Sequence, residues 1–193
     1  MNTTKTTPAD LQCLIQNLTR LYVGKPEEIT VRVQEASDGS AAYFALRGSP
    51  GDDSRLVGRD GCHVNALMFL VSQVGVEAGK VYTFRLFTSE THEEPWRGPK
   101  RLLDYDPSPA CSVLQEWLEA LGLEDFTVEV GPGEGPRTEL SYTFQIKIQD
   151  KTLATALTLK GDKGISVIGA IGTLIRAIGK QNGVKLQINI VGK

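Results

Sequence analysis

The feature that most constrains this 193-residue chain is an internal repeat: LVGRDGCHVNALMFLVSQVG at 56–75 returns as LKGDKGISVIGAIGTLIRAIG at 159–179. Both copies set a G-x-x-G directly before a run of apolar residues at helical spacing, and both close on glycine. The copies differ in length by one residue, which the spacing places inside the helix. A repeat of this kind implies one supersecondary plan used twice.

The similarity between the copies extends in both directions. Leu11, Leu14, Leu18 and Leu21 recur at spacings of three and four, as do Leu114, Leu118 and Leu121 after Cys111, which predicts an opening amphipathic helix in each copy. Pro8 and Asp10 mark the start of the first helix and Ser108-Pro109 that of the second. Alternating segments then predict strands: ITVRVQ (29–34), AYFALR (42–47) and VYTFRLF (81–87) in the first copy, FTVEV (126–130), YTFQIKI (142–148) and VKLQINIV (184–191) in the second. Asp38-Gly39-Ser40 and GPGEGP (131–136) supply the turns. Each half therefore reads α-β-β-α-α-β, an α+β plan with a three-stranded sheet covered by helices on one face. The expected organisation is a first unit at 1–88, a polar, proline-rich linker at 89–109 and a second, more divergent unit at 110–193. Trp96, Leu102 and Leu103 predict that the linker docks on a domain surface. KTLATALTL (151–159) fits either a longer helix or an additional strand. Gly169 and Gly172 inside the last helix predict close packing against a neighbouring element.

Composition bounds the function classes. The start, MNTTKTTPAD, lacks the basic and apolar segments of a secretory signal, and the most apolar stretch, 165–178, is broken by Gly169, Gly172 and Arg176, so the expectation is a cytoplasmic protein with no membrane partner. Cys13, Cys62 and Cys111 form no C-x-x-C pair and have too few nearby histidines for a zinc site. Reduced thiols are expected, with Cys13 and Cys111 packed in their apolar runs. Neither G-x-x-x-x-G-K-[ST] nor a strand-linked G-x-G-x-x-G occurs, so no nucleotide cofactor is expected. The formal net charge of -2 disfavours a phosphate binder, but from Lys151 onward seven basic residues face the single acid Asp162.

A G-x-x-G before a helix is chemically useful. Its glycines permit positive backbone angles, so that amide N–H groups can face a phosphate without an intervening side chain, and the helix adds its positive end. The two loops are Gly58-Arg59-Asp60-Gly61 and Gly161-Asp162-Lys163-Gly164, each with one basic and one acidic middle residue; Asp52 and Asp53 add negative charge upstream of the first. The order of elements, Val57 before the loop and HVNALMFLV after it resemble bacterial KH domains of type II over roughly 10–88 and 110–192. The resemblance implies a non-catalytic protein whose G-x-x-G clamps the backbone of single-stranded RNA against a groove walled by the sheet. Carried to this chain, Gly58, Arg59, Asp60 and Gly61 hold phosphate and sugar, His63 and Asn65 add polar contacts, and Gly161, Asp162, Lys163 and Gly164 are the matching residues of the second copy.

Two other readings compete. Cys62 at a helix start invites a nucleophile, but adjacent helical residues diverge by about 100 degrees, so His63 is badly placed to act as its base. The stronger rival is a protein-protein interaction or homodimerisation module, a KH scaffold without RNA whose glycine-bearing last helix packs on a partner.

Overall fold

The computed structural model describes residues 6–88, 105–133, 140–159 and 165–192. Thr7 caps the first helix, α1 (Pro8–Arg20): its hydroxyl accepts from the Asp10 N–H at 3.2 Å and its own N–H donates to the Asp10 carboxylate at 3.0 Å. This reciprocal box satisfies two amide donors that a helix start leaves open. Leu11, Leu14, Ile15 and Leu18 form the buried stripe of α1. Cys13 falls between the stripe positions and is exposed, against the expectation that it packs. Cys111, on the matching helix α4 (Ser108–Ala120), is half-buried, and burial raises its thiol pKa. Ser108 and Pro109 open α4, as their reading as a helix start predicts, so the helix begins within the 89–109 bounds given to the linker; Trp96, Leu102 and Leu103 lie outside the described residues.

In the first half, β1 (Thr30–Glu35) runs antiparallel to β2 (Ala41–Arg47), and β2 runs parallel to β3 (Val81–Phe87). Parallel neighbours need a crossover, here made by α2 (Asp53–Val57) and α3 (Cys62–Ala78). Val31, Ala42, Phe44, Leu46, Tyr82 and Phe84 alternate onto one face and are buried beneath α1 and α3. The second half repeats the order: α4, β4 (Phe126–Pro132), β5 (Ser141–Ile148), α5 (Lys151–Thr158), α6 (Val167–Asn182) and β6 (Lys185–Gly192), with β4 antiparallel and β6 parallel to β5. The protein is therefore α+β, with two three-stranded sheets. The segment that fitted either a helix or a strand is the helix α5, so the longer second connection extends a helix.

Two details align the halves residue by residue. Gly75 of α3 and Gly179 of α6 both lie where a Cβ would strike the backbone of the following strand, 2.9 Å from Tyr82 N and 3.0 Å from Leu186 N respectively. Glycine lets each helix press onto its own sheet. Counting from these two points, the one-residue difference falls at the start of α6 rather than inside it. Helix α3 begins at Cys62, immediately after Gly61, whereas Ile165 and Ser166 precede α6 and remain non-helical. Among the described residues, neither Gly169 nor Gly172 marks the expected close approach, since an added Cβ would meet Ser166 Oγ at 2.9 Å and Arg176 Nη1 at 3.4 Å and no backbone of another element.

The halves meet through their helices. α3 packs on α6 and α1 on α4, and the buried apolar residues of both halves form one continuous cluster. Leu18, Leu70, Val113, Leu114, Trp117, Ile171, Leu174 and Ile175 surround a remaining space of about 10 Å³, at the lower edge of what one water needs and without a polar partner for it. At the rim, Gln181 Nε2 donates to Val23 O at 3.2 Å and Asn182 Nδ2 to Leu21 O at 3.3 Å. Among the described residues, no helix is long and apolar enough to cross a membrane.

Candidate functional site

Three consecutive devices shape the first loop. The Gly58 N–H closes α2 on Ser54 O at 3.0 Å, and the Gly61 N–H then turns back to Gly58 O at 3.2 Å. Gly58, Asp60 and Gly61 all have positive φ, at 75°, 53° and 75°. Asp60 is a side chain that tolerates this region, because a short polar group can bond locally. Gly58 has no substitute on two counts: its φ is left-handed, and a Cβ there would lie 2.6 Å from His63 Cγ and 2.9 Å from Cys62 Sγ. Arg59 and Asp60 project from the loop and are exposed.

The loop delivers the chain into α3 with Gly61 as its N-cap and no side-chain cap bond. An α-helix leaves its first-turn amides without intrahelical acceptors; here the loop's own turn takes up the first, the Cys62 N–H bonding Arg59 O, and the turn lies at the positive end of a 17-residue helix. The second half handles its helix differently: Ser166 caps α6, its Oγ accepting from the Gly169 N–H at 3.0 Å. Gly161, Asp162, Lys163 and Gly164 lie outside the described residues.

His63 and Asn65, grouped with the loop by sequence, are brought to it. Asn65 lies over Gly61, 3.3 Å from where a Cβ would stand. His63 is committed inward: with Nδ1 2.6 Å from Arg55 O, this nitrogen carries the proton and donates to the carbonyl, and the ring meets Tyr22 edge to face at 5.6 Å. His63 thus clamps α2 to α3 beneath Gly58. Burial lowers its pKa; the bond to Arg55 O opposes this, and the positive charge of Lys180 adds to the lowering. Burial, and then Cys62, raise the pKa of Tyr22, whose hydroxyl has no hydrogen-bond partner among the described residues.

Lys180 belongs to α6, so the second half contributes a cation whose charge is felt at His63. Sequence reading counted Lys180 in a basic carboxy-terminal third without placing it. The signal that could have placed it is the breadth of the apolar stripe on α3, which includes Ala66, Leu67, Leu70, Val71 and Val74 and is wide enough to require a partner besides its own sheet.

Asp52 does not add charge to the loop surface. It is 2% exposed and accepts from Gly24 N–H at 2.7 Å, Lys25 N–H at 2.9 Å and Arg55 Nη1 at 2.5 Å. These bonds satisfy the buried carboxylate and tie the end of α1 to the segment preceding the loop. No family model matches this chain, and no curated protein matches it.

Proposed function

We propose that this is a non-catalytic, cytoplasmic, single-stranded RNA-binding protein built from two tandem type II KH-like units, with the better-formed nucleic-acid site at Gly58–Gly61. The observation that carries this reading is the start of α3, which has no side-chain cap, behind a loop with two left-handed glycines and an exposed Arg59. Phosphate oxygens accept from helix-terminal amides, and a cation at the same point adds the salt-dependent attraction. Asp60 beside Arg59 subtracts from the loop's positive charge, so affinity is modest.

The rival interaction module relied on an α6 face available to a partner. Ile171, Leu174 and Ile175 of that face are packed against the first half of the same chain, which supports the RNA reading over the rival. The test is fluorescence anisotropy with a pool of labelled single-stranded RNA. Arg59→Asp is expected to weaken binding by about tenfold or more through phosphate repulsion, with stability within about 0.5 kcal/mol of wild type, as for an exposed loop substitution. Wild-type protein without salt-sensitive RNA binding would overturn the proposal.

A further inference from the structure

Helices cover one face of the first sheet; the opposite face has its own chemistry. The strand register aligns Arg32, Ala45 and Arg85 in one row across β1, β2 and β3, and Thr30, Arg47 and Phe87 in the next. Gln34, Tyr43 and Thr83 form a third row. Small Ala45 is thus ringed by longer side chains, and Thr30, Arg32, Ala45, Arg47 and Phe87 line a depression of about 240 Å³. The Arg85 guanidinium lies over the Phe87 ring, 5.4 Å from its centroid, and Phe87 is 37% exposed. No strand residue on this face is acidic: Glu35 falls on the helix-covered side, where its charge acts on Tyr82.

Three arginines gathered with no acid among the strand residues of their face repel one another, and a polyanion relieves that repulsion. Guanidinium groups also match phosphate oxygens in pairs, and an exposed aromatic ring in the same depression offers a stacking platform for a flat base. An acidic protein would use the arginines and leave the ring unused. We infer that the open face of β1–β2–β3 is a second single-stranded RNA-binding surface, with Arg32, Arg47 and Arg85 on phosphates and Phe87 on a base. The inference shares its partner class with the loop reading but uses the side of the sheet facing away from α3.

The experiment measures anisotropy with the labelled RNA pool across a salt series. It compares wild type, Arg59→Asp, the triple variant R32Q/R47Q/R85Q, Phe87→Ala and the control Q145A/Q187A/N189A on the other sheet, each checked for a wild-type melting transition. The expected result is a loss of about tenfold or more for the triple variant, with the slope of log affinity against log salt flattened by about 2 units for three phosphate contacts on a single strand. Phe87→Ala is expected to lose about fivefold or more, and the control nothing. A triple variant that binds like wild type, or loses affinity with an unchanged salt slope, overturns the second surface and leaves the loop reading standing. A loss in the triple variant with none in Arg59→Asp supports the surface and removes the loop. Wild-type protein that ignores RNA, or binds polyglutamate equally well through these arginines, overturns the surface.

Discussion

The outer faces of the two sheets share one register and differ in chemistry. Where the first sheet has Arg32, Ala45 and Arg85 in a row, the second has Glu129, Gln145 and Asn189. Where the first has Arg47 beside Phe87, the second has Lys147 beside Val191, and Lys147 pairs with Glu129 at 2.6 Å. The inner faces keep their character, with Phe44 and Leu46 matched by Phe144 and Ile146, all buried. The difference teaches which constraint acts where. Inner positions answer to a packed core and are restricted by volume, whereas outer positions answer only to solvent or a ligand and are free to specialise. The helix starts follow the same division: α6 is capped by its own Ser166, and α3 has no side-chain cap.

Three measurements sharpen or break this comparison. The largest expected effect concerns a feature described in the first half, the buried Asp52 latch. Asp52→Ala removes the acceptor of Arg55 and of two backbone amides, and is expected to cost about 3 kcal/mol in urea denaturation. A cost under about 1 kcal/mol would mean that the loop is held without the latch. Next comes the equivalence of the helix-strand contacts: Gly75→Ala and Gly179→Ala each force a Cβ onto strand backbone and should each cost about 2 kcal/mol. Markedly unequal costs would break the residue-by-residue matching of the halves. The smallest effect is a pH dependence. His63 has a folded-state pKa below its ordinary 6.5, so the fold favours its neutral form. Its contribution is complete above that value and is lost as pH falls through 6.5 towards the lower folded value. Melting temperature should therefore rise between about pH 5.5 and 7.5, and His63→Asn should flatten that rise. An unchanged pH profile in the variant would assign it to other groups.

The repeated plan was legible because its signals are local. Apolar residues recur at three and four and strands alternate, so α1, α3, β3 and α4 fall close to where periodicity places them, although Gly75 and Gly179, read as closing the runs, lie inside α3 and α6, which end at Gly79 and Gly183. Features set by contacts distant in the chain were not legible. Asp52 looks like an ordinary surface charge until Gly24 and Lys25, on the far side of β1 and β2 in the chain, supply amides to it. His63 looks like a ligand-facing polar group until Arg55 O claims its proton. Arg32, Arg47 and Arg85 form a group only once the register is known, since strand pairing brings together residues scattered across the first half of the sequence. Cys13 shows the converse error, as an apolar neighbourhood in sequence did not make it an apolar neighbour in space.

The continuous core across α3 and α6 has a consequence for the chain as a covalent object. Cutting the backbone between Ser89 and Asp104 would sever one peptide bond and leave the seam lined by Leu70, Trp117 and Leu174 intact. Each fragment alone would present a bare apolar helix face that only the other complements, so the two pieces would co-purify and reassociate on mixing, as a split protein does. Recognition between the halves is then written in their helices.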